Sequence, residues 1–257
     1  MATAYEISMF LNDLLNVKAF SGDSSNNGLQ FDAGNEVKKA VFGVDACKDL
    51  FDFAAEEGAD FVFVHHGMSW GGSLKRINSL DAARIMQLAN NNMSLYAAHL
   101  PLDAHPELGH NASIAKMMKL KNLRPFGFYD GTMIGYAGEL PRAVKAKKLG
   151  MDFCTNLPYP GYSYTCFNDD KTVKTVAVVS GGGACVPFFQ EMIAGKIDCL
   201  LTGEFTHQAW HYAKEADVAV IAAGHYRSEI PGVLNVMNVV AEEFGIECVF
   251  RELPTGL

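Results

Sequence analysis
The sequence predicts an α/β protein of two related lobes with largely parallel sheets. Three observations predict it. Strand-sized apolar runs alternate with segments of helical spacing along most of the 257 residues. Runs such as Val41-Phe-Gly-Val44 and Phe61-Val-Phe-Val64 are apolar on both faces, as strands of a sheet covered by helices on both sides must be. A pattern also recurs: Ala46-Cys47, Asp60, an apolar strand and Trp70 are matched by Ala184-Cys185, Asp198, an apolar strand and Trp210. Cysteine and aspartate stand thirteen positions apart in both copies. Likewise Ala97-Ala98-His99 resembles Ala222-Ala223-Gly224-His225. The expected division is an N-terminal lobe over 1–120 and a C-terminal lobe over 121–257, with the last helix free to pack on the first lobe.

In chain order, Ile7, Phe10, Leu11, Leu14 and Leu15 have helical spacing and predict a first helix within 3–20. A long loop follows from Phe20 to Asn35, rich in Gly, Ser and Asn, and long loops in compact domains are often functional. Strand 41–44, helix 47–58 ending at a glycine, and strand 60–64 make a β-α-β unit. Either the chain turns directly after Val64, as Gly67 favours, or the adjacent His65 and His66 point to opposite faces and each serves a different metal. A helix over 80–90, a strand over 93–98 and a helix over 111–120 complete this half. Residues 121–172 predict only a short antiparallel insert near 131–140. Order resumes with strand 173–179, a helix to Gly195, strand 198–201, helix 206–215, strand 218–222, helix 228–244 and strand 247–250.

The longest apolar runs fall well short of the ~20 residues that span a bilayer, and the N-terminus has no basic stretch before its apolar residues. A cytoplasmic protein is expected. The 49% hydrophobic content suffices for a large core, and the net charge of −8 excludes a general nucleic-acid or membrane binder. Any anionic small substrate needs local compensation, for which bound cations are the obvious source. Six cysteines without a Cys-x-x-Cys pair exclude finger-type zinc and predict packed, reduced thiols.

Polar residues gather where the strands end: His65, His66, His99, Asp103, Glu204, His225 and Glu229. Ligands of open α/β sheets bind at strand carboxyl ends. Imidazole and carboxylate suit divalent zinc, manganese, iron or nickel, and one carboxylate can bridge two ions about 3.5–4 Å apart. A lone histidine is ordinarily structural, but two in succession after a buried strand point to metal. Asp103 follows Pro-Leu and equally suits a helix cap or turn. His207 and His211 have metal-pair spacing but no intervening glutamate, which weakens them as ligands. Gly181-Gly-Gly183 offers a phosphate cradle before a helix, or merely a tight turn. Lys75, Arg76 and Arg227 are candidates to counter substrate charge, and plain surface positions explain them equally well.

Together, Val64-His-His-Gly67, His99-Leu-Pro-Leu-Asp-Ala-His-Pro-Glu-Leu-Gly109 with Asn111, Ser180-Gly-Gly-Gly183, Leu201-Thr-Gly-Glu204 and Ala223-Gly-His-Tyr-Arg-Ser-Glu229 occur in the order typical of one family. Asn27-Gly-Leu-Gln30 fits too. The chain resembles the GTP cyclohydrolase 1 type 2 homologues, also called NIF-three-like proteins, over nearly its whole length and least over 121–172. The resemblance implies two α/β lobes with a dinuclear metal centre between them at strand carboxyl ends, and a ring-shaped homohexamer. It implies His65, His66, Asp103, His225 and Glu229 as metal ligands, Glu229 as the bridge. His99, Glu204 and His207 match motif positions as groups behind the ligands or touching substrate. The domain inserted in longer members has no room here. The implied activity is metal-dependent attack of water on the purine ring of GTP or a related nucleotide, with Glu204 able to move protons. Phosphoester hydrolysis suits the same two ions, and a non-catalytic metal-binding scaffold or regulatory protein is the third reading. The sequence alone assigns no catalytic residue.

Overall fold
The computed structural model describes residues 2–72, 76–159 and 163–256. They form two compact units, Met1–Leu102 with Val233–Leu253, and Asp103–Gly232 with Pro254–Leu257. The expected boundary at 120/121 falls inside the second unit.

The first unit opens with α1 (Ala4–Leu14), started by a capping box in which the Thr3 hydroxyl accepts from the Glu6 amide and Glu6 accepts from the Thr3 amide. Asn16, in the left-handed region at φ 49°, ends the helical run, and one 3-10 turn (Val17–Phe20) replaces the rest of the expected helix. Then follow β1 (Gly28–Phe31), β2 (Lys39–Asp45), α2 (Lys48–Glu56), β3 (Phe61–His66), α3 (Ser79–Asn90), β4 (Ser94–Ala97) and the short α4 (Leu100–Ala104). The second unit holds α5 (His110–Met117), β5 (Lys121–Tyr129), β6 (Thr132–Lys145), α6 (Ala146–Asn156), β7 (Thr165–Phe167), β8 (Thr172–Val178), α7 (Val186–Gly195), β9 (Cys199–Thr202), α8 (His207–Glu215), β10 (Ala219–Ala222) and α9 (His225–Ser228). α10 (Ile230–Phe244) and β11 (Glu247–Phe250) close the chain, and β11 belongs to the first unit.

One sheet has the order β1-β4-β3-β2-β11, parallel except for β1 at its edge. The other runs β5-β6-β8-β9-β10-β7, with β8, β9 and β10 parallel and the remaining strands antiparallel. The first sheet thus has four parallel strands and the second three, and in each an antiparallel strand, β1 beside β4 or β7 beside β10, borders the parallel set. The recurring aspartates do the same work in both. Asp60 accepts from the Lys38 and Lys39 amides at 2.8 and 3.2 Å, and Asp198 accepts from the Lys174 and Thr175 amides at 2.8 and 2.9 Å. Each carboxylate thus ties the start of its strand to that of the preceding parallel strand. These amide bonds outweigh the burial that would raise the Asp198 pKa and hold it below its usual value.

Burial explains the apolar runs. Val41, Leu50, Phe51, Val62, Val64 and Leu95 are inaccessible in the first unit, as are Val173, Val176, Val178, Cys199, Leu201 and Ile221 in the second. Each large side chain so buried contributes roughly 1.5–3 kcal/mol. None of the six cysteines is in a disulfide, and burial raises the thiol pKa of Cys166 and of Cys248 to about 11.

Three expectations need correction. The loop 20–35 contains β1, four residues too short to show a period. Residues 121–172 hold far more order than a short insert: a long β5–β6 hairpin, α6 and β7. Most of β5 is exposed and carries Pro125, as an edge strand tolerates, so its apolar signal is weak. α6 is interrupted in pattern by Gly150, whose added Cβ would press into the Tyr164 ring. Finally, the helix expected over 228–244 starts at Ile230, and a separate short helix, α9, precedes it with Glu229 between the two. Pro231 has no amide hydrogen to give to the Arg227 carbonyl four residues before it, so α9 does not run on into α10 with an unbroken ladder.

Candidate metal centre
In the first unit β3 continues through His66, with Asp45 opposite His66 in parallel register. The chain does not turn after Val64. His65 is fully buried, and its Nδ1–H donates to the Ala98 carbonyl at 2.8 Å. His66 is half-buried, and its Nδ1 lies 2.8 Å from Asp45 Oδ1. His99 Nδ1 lies 2.9 Å from Asp23 Oδ1, while its amide donates to Asn27 Oδ1 at 2.7 Å. The three rings gather at centroid separations of 4.5, 5.2 and 5.7 Å, and their ligand-type nitrogens lie within 4.8 Å of one another. In each ring an oxygen acceptor claims Nδ1, so the neutral tautomer presents the Nε2 lone pair, the arrangement typical of metal-binding histidines. His99 thus stands beside the histidine pair.

Asp23 and Asp45 were not singled out from sequence. Asp45 follows a strand end, the signal that marked the other candidates; Asp23 sits in the Gly/Ser/Asn loop with no local signature. Asp23 also accepts from Asn27, Ser25 and the Leu100 amide. Burial raises its pKa, but the bonds from His99 and Asn27 prevail and keep it below the usual carboxylate value.

In the second unit Asp103, on α4, is buried and its Oδ1 accepts from the Ser180 hydroxyl at 2.9 Å. Buried Asn111 binds this segment together: its Oδ1 accepts from the Ser180 amide at 2.7 Å, and its Nδ2 donates to the Asp103 and Ile134 carbonyls. His110, unnoticed in the sequence, lies fully buried with a ring nitrogen within 4.8 Å of an Asp103 oxygen. Its Nδ1 accepts from the Gly232 amide at 3.0 Å, so its neutral ring carries the hydrogen on Nε2 and presents no second lone pair.

His225 opens α9. Its Nδ1–H donates to Glu204 Oε1 at 2.7 Å, and its Nε2 lies 3.1 Å from Oε1 of buried Glu229. The glycine runs serve this approach. A Cβ on Gly181, which has φ 56°, would collide with Glu229 Oε1 and stand 2.9 Å from His225 Nε2. One on Gly203 would stand 2.7 Å from both the Gly181 carbonyl oxygen and His225 Cα. The Gly181 amide donates to Ser228 Oγ, so it is committed to packing and not to a phosphate.

Burial lowers the His225 pKa, but the hydrogen bonds and charges of Glu229 and Glu204 more than offset it, raising it to about 9. A folded-state value above the ordinary 6.5 stabilises the metal-free protein fully below pH 6.5, and that contribution fades as pH rises through about 9. Titration of the His225 ring by NMR in chelator-treated protein is expected to give a midpoint near 9. A midpoint near 6.5 would contradict the Glu204–His225–Glu229 geometry.

His207 and His211 are exposed on α8 with ring centroids 6.4 Å apart, and among the described residues no third ligand-type side chain joins them. Arg227 is not a substrate contact: it is buried, and its guanidinium donates to the Cys154, Leu157 and Pro158 carbonyls at the end of α6. Arg76 is exposed. Lys75 lies outside the described residues.

No helix among the described residues is long and apolar enough to cross a membrane. The chain is 42% identical over 252 residues to a Pyrococcus horikoshii protein and 40% identical over 252 residues to one from Pyrococcus abyssi, each match covering 98% of both chains. Both relatives are named GTP cyclohydrolase 1 type 2 homolog. A solved structure described as protein ybgI, of unknown function, superposes with a TM-score of 0.90 at 32% identity over 100% of both chains. The model of the Duf34/NIF3 (NGG1p interacting factor 3) family matches residues 2–255, and the chain belongs to that family.

Proposed function
We propose that this protein is a dinuclear-metal-dependent hydrolase of the GTP cyclohydrolase type 2 kind, acting on GTP or a related nucleotide. His65, His66, Asp103, His225 and Glu229 would hold two divalent ions, with Glu229 shared between them. The observation that carries the reading is the preparation of the histidines: an oxygen acceptor fixes Nδ1 of His65, His66 and His225, aiming each Nε2 as a ligand. Asp103 is oriented by Ser180, and Gly181 leaves the space that the Glu229 carboxylate needs. Zinc, manganese, iron and nickel all accept this mixture of nitrogen and oxygen. A divalent ion held there would supply water acidified to a pKa of ~7.

The chain's own groups then orient and move protons. Glu204 and Asp45 hold the ring hydrogens of His225 and His66, and each carboxylate is at least two-fifths exposed. Glu204 is thereby placed to exchange a proton with solvent. The nucleotide is taken from the name of the relatives, and the same reading makes the protein a cytoplasmic homohexamer.

Metal content tests the site. Wild-type protein purified without chelator is expected to hold about two equivalents per chain, and Glu229→Ala fewer than one. No stoichiometric metal in the wild type after reconstitution would falsify the dinuclear reading. With metal bound, formate release from GTP supports ring opening; release of phosphate alone would replace it with phosphoester hydrolysis.

A further inference from the structure
The first unit also contains a half-open cavity of about 450 Å³ beside the histidine cluster. That volume suits one small molecule, since ligand sites commonly measure roughly 300–1,000 Å³. Its apolar lining includes Phe31, Met68 and the fully buried Leu88 and Leu95, and Arg76 and Asp81 line it as charged groups.

One wall is built before any ligand arrives. Gln30 stitches it: its Oε1 accepts from the Met68 and Ser69 amides at 2.8 and 3.0 Å, while its Nε2 donates to the Asn26 and Ser69 carbonyls at 2.9 and 3.2 Å. All the hydrogen-bonding capacity of this amide goes into the wall, so Gln30 shapes the cavity and does not read its occupant. Trp70 is fixed as well. Its Nε1–H donates to the Gly67 carbonyl at 2.8 Å, and its ring meets His99 edge-on at a centroid distance of 5.0 Å. The indole remains a little over one-third exposed while lining the cavity. A fixed, accessible indole with its donor already used offers a stacking surface.

We propose that this cavity binds a planar, aminated heteroaromatic ring bearing an anionic group. The ring lies against Trp70 and the apolar lining, its amino group is read by Asp81, and its anion is read by Arg76. A purely apolar ligand would leave both charged groups unused, and a free anion would make no use of the indole or the apolar lining. Trp70 touches both the ligand and the histidine cluster, so occupancy of the cavity is felt at His99.

The probe is 2-aminopurine riboside 5′-monophosphate, whose fluorescence is quenched on stacking against indole. The protein is full-length Trp210→Phe, which leaves Trp70 as the single tryptophan, and it is measured both stripped by chelator and reloaded with metal. Saturable one-to-one quenching is expected in both forms. Asp81→Asn and Arg76→Gln should each weaken binding at least tenfold without changing the urea midpoint, and Trp70→Leu should remove the quench. Inorganic phosphate at equal concentration should not compete. Absence of saturable binding, or binding indifferent to all three substitutions, overturns the proposal. So does displacement by inorganic phosphate, which would reduce the site to an anion contact, and so does binding seen only with metal and unchanged in Asp81→Asn. Metal content is measured separately. Probe binding in a protein that holds no metal therefore sustains this cavity while removing the dinuclear reading, and metal without probe binding does the reverse.

Discussion
Gly181→Ala is expected to reduce the metal content from about two equivalents to one or fewer. Two physical effects act together. Gly181 has φ 56°, a left-handed conformation that costs an alanine about 1–2 kcal/mol. The added methyl would also occupy the space of Glu229 Oε1, and neither neighbour yields easily. Glu229 is buried, and His225 is held from its other side by Glu204. The carboxylate must therefore swing away from His225 Nε2 and lose its aim. Gly182→Ala is the control, since a Cβ there meets nothing within 4 Å. Elemental analysis of the two variants beside wild type decides the matter: equal metal in all three would mean that Glu229 holds no ion.

Arg227→Met is expected to destabilise the protein by about 2–4 kcal/mol, read as a lowered urea midpoint at unchanged slope. Arg227 is 2% exposed. Its Nη2 donates to the Cys154 carbonyl at 2.9 Å and the Leu157 carbonyl at 3.5 Å, and its Nε donates to the Pro158 carbonyl at 3.3 Å. These carbonyls end α6, where the helix dipole favours a cation. Methionine fills much of the same volume but leaves the acceptors unsatisfied. Arg227→Lys should rescue little, because one ammonium cannot reproduce a planar fork reaching three carbonyls. Arg227 lies between His225 and Glu229 in the chain, so both variants should also bind metal more weakly. An unfolding free energy within about 0.5 kcal/mol of wild type would show that the carbonyls find other donors.

The parts of this protein most legible in its sequence were those with a strong local signature. Phe61-Val-Phe-Val64 is apolar on both faces because its strand lies inside a parallel sheet, and the histidines after it mark where that sheet ends. The repeat of Cys47 and Asp60 in Cys185 and Asp198 was legible because each aspartate performs the same local task, tying two strand starts through backbone amides. The β5–β6 hairpin was obscure for the opposite reason. An edge strand with most of its residues in solvent has little need of an apolar pattern, and its pairing partner lies on a separate stretch of chain. The place of Arg227 is hidden because a cation near proposed ligands looks the same in sequence whether it faces solvent or carbonyls sixty-nine to seventy-three residues away.

By itself, then, the sequence determined the α/β class, the two related halves, the family and the residue types offered to a metal. Periodicity, chain-local caps and residue chemistry all act over a few positions and leave their mark there. Only the tertiary structure decided that β3 runs on through His66, that His99 joins the histidine pair, and that Asp23, Asp45 and Glu204 fix histidine rings. It also decided that Gly181 makes room for a carboxylate and does not cradle a phosphate. Such facts depend on which atoms meet across tens of residues, where hydrogen-bond geometry and excluded volume select one arrangement and a linear pattern carries no record of it.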